Sequence, residues 1–200
     1  MSIAETEGRT QRALEWLQRN CSKIATIAML GFPSWQSAFR WAERQVKYGH
    51  IAKLGEVVGA NGKGQSVYGH KSKNDNLRHE TDLSQVLVHF ELEEWEWLRG
   101  EDADSQYRAD SDLRQYGHAF RLEIDENTER RRALERRLKV YEGSQDFVLF
   151  VGPHERRLRE AKDVGSFLGD QLLLTTIAKA AKDPFAKDVW EDVYGNKCSL

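Results

Sequence analysis

Two acidic side chains two residues apart are the clearest candidates for chemistry in this sequence. Glu123 and Asp125 alternate with Leu122 and Ile124 in the segment Ala119–Asp125. Because side chains in a β-strand point alternately to opposite faces, this spacing puts both carboxylates on one face. Two carboxylates that project together can chelate one hard divalent cation, which prefers oxygen ligands. The alternative is that both form ion pairs with nearby arginines and do no chemistry.

A second group of candidate residues is polar and basic, and it lies along one predicted helix. Ser34 is a good N-cap, and the segment Trp35–Tyr48 behind it has a helical periodicity that ends at Gly49. At about 100° per residue, four polar side chains share one side of this helix: Gln36, Arg40, Arg44 and Lys47. The apolar residues on the other side are expected to face the core: Trp35, Ala38, Phe39, Ala42 and Val46.

The elements around this helix have the order of a winged helix-turn-helix domain. Two short helices precede it and two strands follow it, at Arg12–Arg19, Lys23–Leu30, Ile51–Val58 and Gln65–Tyr68. The glycine-rich segment Gly59–Gly64 predicts a hairpin loop that carries Lys63. In such a domain the polar face of the third helix can enter a major groove, where Gln and Arg side chains address base edges. Lys63 would then reach a phosphate or the minor groove.

The charge distribution favours a nucleic-acid partner for this first module. Residues 1–73 hold 11 Lys and Arg against 5 Asp and Glu, a net charge of +6. Residues 74–129 have a net charge of −11, and residues 130–200 one of +3. A basic module attracts phosphate backbones, whereas an acidic stretch can bind a divalent metal or form a solvated face. The alternatives for the basic helix are a solvated face and a winged helix that binds protein.

The second half of the chain predicts a mixed α/β (α+β) domain. The polar segment Lys71–Asn76 is the best linker candidate, so we predict domains at residues 1–73 and 77–200. An acidic turn is expected at Gly100–Ser105. The predicted elements are a helix at Glu80–Phe90, strands at Glu94–Trp97, Arg108–Arg114 and Ala119–Asp125, a helix at Thr128–Tyr141 capped by Thr128, a strand at Phe147–Val151, a helix at Glu155–Asp163, a strand at Leu172–Thr176 and a last helix from Asp183 to Gly195.

The order of these elements, αβββαβ, is shared by restriction-endonuclease-like enzymes, and several short motifs carry a more specific likeness. The chain resembles the replication-relaxation family, proteins of plasmids and other mobile elements that begin with a winged helix. The stretches that carry the resemblance are Arg108–Asp110, Phe120–Glu129 with Arg137–Tyr141, Val148–Val151 with Glu155–Arg157, and Asp183–Phe185 with Val189–Trp190. Ala109 stands where relatives have a proline, and Arg137 where a lysine is expected.

The resemblance implies a nuclease-like metal site, in which metal ions activate water and stabilise charge on the phosphate. Its ligands for Mg²⁺ would be Asp110, Glu123 and Asp125. Glu80 is a weaker fourth candidate. Asp125 stands where many such nucleases have a lysine, so a basic group would come instead from the next helix, with Arg137 or Lys139 as candidates. Arginine stays protonated and cannot act as a base, but it can clamp a phosphate.

Three functions follow from these residues, in decreasing order of support. The first is a DNA-binding accessory protein of a mobile element, with an inactive nuclease-like domain that clamps DNA or recruits a relaxase or replication initiator. The second is a Mg²⁺-dependent nickase or endonuclease, and the third is a transcriptional regulator. The polar start at Met1–Arg12 and the lack of a long apolar run predict a cytoplasmic protein with Cys21 and Cys198 reduced. The oligomeric state is left open, with a homodimer as one alternative.

Overall fold

The computed structural model describes residues 3–59, 62–70, 76–99 and 107–200. The chain divides into two compact units, residues 1–88 and 89–200, and the division falls within the helix Leu77–Leu92. Residues 71–75 of the predicted linker lie outside the described residues, as do residues 60 and 61 of the glycine-rich loop and the acidic segment 100–105. In the described part of the chain, no helix has both the length and the apolar character that a membrane span requires.

The first unit contains three helices, a small sheet and most of a fourth helix. Its elements are α1 Ile3–Arg19, β1 Ser22–Lys23, α2 Ile24–Met29, α3 Trp35–Lys47, β2 Ala52–Val58, β3 Gly64–Gly69 and the first part of α4 Leu77–Leu92. The sheet is antiparallel with the strand order β1-β3-β2. The predicted second and third helices and the hairpin are confirmed within a few residues. Helix α1 is longer than its predicted span, and β1 was not predicted.

The orientation of α3 differs from the prediction. Its buried residues are Ala38, Trp41, Ala42 and Gln45. Trp35 and Phe39, which were expected in the core, are 54% and 38% exposed. The helix is rotated relative to the prediction because Trp41, which is absent from the predicted core face, packs on Phe32 with ring centroids 5.2 Å apart. The assignment of Trp35 and Phe39 to the core was therefore wrong.

The second unit is built on a seven-stranded mixed sheet, which confirms the mixed α/β class. After α4 its elements are β4 Glu96–Arg99, β5 Ser111–Gln115, β6 His118–Ile124, α5 Arg131–Lys139, β7 Phe147–Gly152, α6 Glu155–Val164, a 3₁₀ segment Ser166–Gln171, β8 Leu172–Thr176, α7 Ile177–Ala180, β9 Trp190–Glu191 and β10 Lys197–Cys198. The strand order is β10-β9-β8-β7-β6-β5-β4. Strands β6, β7 and β8 run parallel, and the other neighbouring pairs are antiparallel.

The core of this unit lies where α5 and α6 cover β7 and β8. Leu134, Leu138 and Tyr141 are buried, as the periodicity predicts, and they pack with Val148 and Phe150 of β7. Strand β7 is almost completely buried because parallel crossover strands are covered on both faces. This packing fixes α5 beside the ends of β6 and β7, where the candidate carboxylates lie.

Two predicted helix starts are wrong. Helix α5 begins at Arg131 with Arg130 as its N-cap and no side-chain cap, so Thr128 does not cap it. Asp183 does not open a helix, because its carboxylate accepts a hydrogen bond from Phe185 N at 2.9 Å and closes a turn. The indole of Trp190 donates to Pro184 O at 2.7 Å and anchors this turn ahead of the short strands β9 and β10.

Candidate nucleic-acid interface and carboxylate–arginine cluster

The polar side of α3 is exposed as predicted. Gln36, Arg40, Arg44 and Lys47 are all exposed to solvent, on the side of the helix opposite the buried alanines. Ser34 is the N-cap, and it forms a capping box in which its side chain accepts from Ser37 N at 3.2 Å. The cap orders the first turn, so the polar face starts from a fixed backbone. Lys63 is also exposed, immediately before β3.

One acidic residue interrupts the positive charge of α3. Glu43 accepts a hydrogen bond from the phenol of Tyr68 at 2.7 Å. Burial and the carboxylate of Glu43 raise the pKa of Tyr68 to about 12, so the phenol stays protonated and donates at neutral pH. The carboxylate is thus held toward β3, and the three cations of α3 outnumber it on the exposed face.

In the second unit, Asp110 and Glu123 come together at the β5–β6 pair. Asp110 precedes β5, and its carboxylate accepts from Ile124 N at 2.7 Å, which ties it to the end of β6. Glu123 projects from β6 and is only 3% exposed. Burial, followed by the negative charge of Asp110, raises the pKa of Glu123 to about 8. Two of the three predicted metal ligands are therefore close enough to repel each other.

Asp125 is engaged by two arginines. Its Oδ2 accepts from Arg137 Nη2 at 2.7 Å and from Arg157 Nη2 at 2.8 Å. Arg157 Nε lies 3.2 Å from each oxygen of the same carboxylate, and the backbone N–H of Asn127 donates to Oδ1. Arg157 is only 1% exposed and forms a second ion pair with Glu160 at 2.8 Å. Both oxygens of Asp125 are thus occupied by donors.

Helix α5 and the turn that follows it supply the groups that face Glu123. Arg137 Nε lies 3.8 Å from Glu123 Oε2, and the phenol of Tyr141 donates a short hydrogen bond to Glu123 Oε1. Arg137 lies in the last turn of α5, and Tyr141 lies two residues beyond the end of the helix. Arg137, predicted as the basic group from the next helix, therefore joins the cluster. Lys139, the other candidate, lies on the exposed side of α5.

The cluster does not have the arrangement of a three-carboxylate metal site. Among residues 3–59, 62–70, 76–99 and 107–200, no group of three or more His, Cys, Asp or Glu is placed to hold a metal ion. Asp125 does not fit such a role here, because two guanidinium groups fill the positions beside its oxygens. Glu80, the weaker fourth candidate, is buried in α4 within the first unit.

Sequence reasoning missed the role of Arg157. The motif Glu155–Arg157 contains it without indicating a partner, yet it makes more hydrogen bonds to Asp125 than Arg137 does. Its backbone N–H also donates to the ring of His154, the N-cap of α6, at 3.1 Å. A cavity of about 140 Å³ lies beside this helix start, lined by Asn127, His154, Arg156, Arg157 and Glu160. The signal that could have indicated this ion pair is the position of Arg157, which follows the apolar strand β7 and lies in the first turn of α6.

No family model, curated protein or solved structure matches the chain. The resemblance to the replication-relaxation family therefore stays a prediction from its motifs.

Proposed function

We propose that the protein is a cytoplasmic double-stranded-DNA-binding protein whose first unit is a winged helix-turn-helix domain, with α3 as the recognition helix. The observation that carries the proposal is the exposed polar face of α3, which holds Gln36, Arg40, Arg44 and Lys47 on a helix anchored through its opposite face. Arginine can donate two hydrogen bonds to guanine and glutamine can pair with adenine in the major groove, while lysine neutralises phosphates.

The order of elements in the first unit supports this assignment. Three helices are followed by the β2–β3 hairpin, which would form the wing, and β1 adds a third strand. The exposed Lys63 directly precedes β3 at the hairpin loop, and there it would contact a phosphate or the minor groove. The net charge of +6 over residues 1–73 gives this module the positive potential that attracts duplex DNA.

For the second unit we infer a nuclease-like scaffold that acts without cleavage. Asp125 and Arg157 are buried and Arg137 is partly buried, and the two arginines supply the positive charge that a metal would supply in an enzyme. Such a domain would recruit a relaxase or replication initiator in the replication or relaxation of a mobile element. The motifs that resemble the replication-relaxation family support this role.

DNA binding is tested by titrating the protein into a fluorescent duplex at several salt concentrations, with and without EDTA. We expect affinity that does not need metal and that falls with salt, with a log–log slope of about −0.9 for each phosphate contacted. The triple variant Arg40→Ala/Arg44→Ala/Lys47→Ala should bind more weakly and lose about one unit of slope for each phosphate contact removed.

A matched control removes the same charge from an exposed face of the second unit. In Arg132→Ala/Arg136→Ala/Lys139→Ala, three exposed cations of α5 are lost and α3 is unchanged. This control should bind much as the wild type does. An equal loss in both triple variants would mean that α3 is not the interface, and a wild-type protein with no affinity for duplex at low salt would refute DNA binding altogether.

A second candidate function is a Mg²⁺-dependent nickase, which one observation favours. After burial, the negative charge of Asp110 is the next cause of the raised pKa of Glu123, as expected for two carboxylates that share a cation site. The test is conversion of supercoiled plasmid to open circles with Mg²⁺ present. Conversion that is lost in Asp110→Ala and Glu123→Ala would favour the nickase, whereas unchanged plasmid with Mg²⁺ or Mn²⁺ would favour the accessory protein.

A further inference from the structure

Two aromatic side chains lie exposed on α3 beside its polar face. The rings of Trp35 and Phe39 are stacked, with centroids 5.5 Å apart and an angle of 2° between their planes. Trp35 is 54% exposed and Phe39 is 38% exposed, and adjacent exposed aromatic side chains form an apolar patch that a partner can cover. Because both residues lie in the first half of α3, that partner would contact the beginning of the helix.

The position of this aromatic pair restricts the partner. At about 100° per residue, Trp35 and Phe39 fall between the buried Ala38 and Ala42 and the exposed Gln36 and Arg40. A partner that covers the pair therefore also contacts the polar face of α3, which contains Gln36, Arg40, Arg44 and Lys47. It must combine negative charge with small apolar groups at close range.

The major groove of DNA has this combination. Phosphates line its edges, and each thymine presents its C5-methyl group on the floor, where it can contact an apolar side chain. In helix-turn-helix proteins the N-terminal residues of the recognition helix are the ones that contact base edges. Trp35 and Phe39 occupy that part of α3, and the capping box of Ser34 and Ser37 orders the backbone there.

We propose that Trp35 and Phe39 contact thymine C5-methyl groups in the major groove, so that the protein selects sites with thymine beside the bases read by Gln36 and Arg40. This inference rests on the proposed binding of DNA by α3. The stacked rings restrain each other before binding, so little conformational freedom is lost when they meet the bases. Covering one methyl group contributes about fourfold to affinity.

The test compares thymine with uracil, which differs only in lacking the methyl group. A tight-binding duplex is selected from a randomised pool with the wild-type protein, and it is then synthesised with thymine or with deoxyuridine at every thymine position. Binding is measured by fluorescence anisotropy at one low salt concentration. We expect the uracil duplex to bind about fourfold more weakly for each methyl group that the pair contacts.

Variants show whether the aromatic pair causes this difference. Phe39→Ala and Trp35→Ala should bind the thymine duplex more weakly and discriminate less between the two duplexes, and Phe39→Leu should keep part of the discrimination. Tyr116→Ala removes a more exposed aromatic side chain from the β5–β6 turn of the second unit and should keep the full preference. The comparison of duplexes with the wild-type protein needs no variant to fold.

Several outcomes would overturn the inference. Equal affinity of the wild-type protein for both duplexes, or a selected site without thymine, would refute methyl contact while leaving DNA binding intact. A dimer that dissociates in Trp35→Ala, measured by light scattering, would assign the pair to an interface between copies of this chain. A wild-type protein that binds no selected duplex would refute both this inference and the proposed function.

Discussion

Arg157 lies almost completely inside the second unit, with its guanidinium against the carboxylate of Asp125 at 2.8 Å. A buried guanidinium needs a compensating charge and acceptors for its donors, and Asp125 and Glu160 supply both. Removing either partner would leave a charge in a poorly solvated position. These residues are therefore expected to hold the ends of β6 and the start of α6 in place, whatever the second unit binds.

Glu123 gives a prediction about pH. Its pKa is raised from 4.5 to about 8, first by burial and then by Asp110, so the folded protein holds the proton more tightly than the unfolded chain does. The free energy of unfolding should therefore decrease as the pH rises from about 4.5 to about 8. In Glu123→Gln this dependence should be absent, because glutamine cannot ionise but can still accept from Tyr141. Urea unfolding at several pH values measures the difference.

The sign of this effect separates two descriptions of the site. If Arg137 and Tyr141 hold Glu123 ionised instead, its pKa in the folded protein would be low and the wild type would gain stability from acid to neutral pH. Glu123→Gln would then be the less stable protein at neutral pH. A wild type that is more stable than the variant at pH 8 would contradict the prediction.

At the scale of elements, α3 and α5 are both basic helices but differ in whether their basic side chains form ion pairs with buried carboxylates. Helix α3 keeps its cations in solvent, whereas α5 turns Arg137 toward Glu123 and Asp125 and leaves its other cations exposed. The difference follows from what each helix packs against. Helix α3 buries alanines and Trp41, while α5 lies beside Glu123 of β6 and Asp125, which directly follows that strand. Arg137 is therefore engaged inside the second unit, whereas Arg40, Arg44 and Lys47 of α3 face solvent.

The N-cap of α3 gives a prediction at this scale. Ser34→Ala removes the side chain that accepts from Ser37 N, and it should lower the free energy of unfolding by about 1 kcal/mol. Thr128→Ala is a matched control, because Thr128 precedes α5 without capping it. Thermal or urea unfolding of both variants measures the two effects. A Thr128→Ala loss as large as that of Ser34→Ala would contradict the assignment of the caps.

At the scale of the whole molecule, charge and fold divide the chain in similar ways. The total net charge of −2 does not by itself indicate a partner, but the charge is unevenly distributed. The basic segment 1–73 carries +6 and the acidic segment 74–129 carries −11, a difference of 17 charges. Residues 89–129 of the acidic segment belong to the second unit, and the basic segment 1–73 lies in the first. DNA is therefore expected to approach the first unit, where the potential attracts it.

Local patterns in the sequence were enough to predict several elements almost to the residue. Strand β8 matches its predicted span, and β7 and α6 each extend one residue beyond theirs, because continuous apolar runs and helical periodicity are properties of neighbouring residues. Ser34 was identified as a cap for the same reason. The polar face of α3 could also be predicted from spacing alone, because charged side chains are excluded from the core however the helix packs.

Only the tertiary structure decided which partner each face meets. Periodicity gives the relative positions of Trp35, Phe39 and Trp41 on α3, but packing on Phe32 decided that Trp41 is buried and the other two are exposed. Likewise, Arg157 meets Asp125 across 32 residues of sequence, because the parallel pairing of β6 and β7 brings their ends together. Sequence fixes local periodicity and composition, whereas contacts between distant elements depend on the free energy of packing the whole unit.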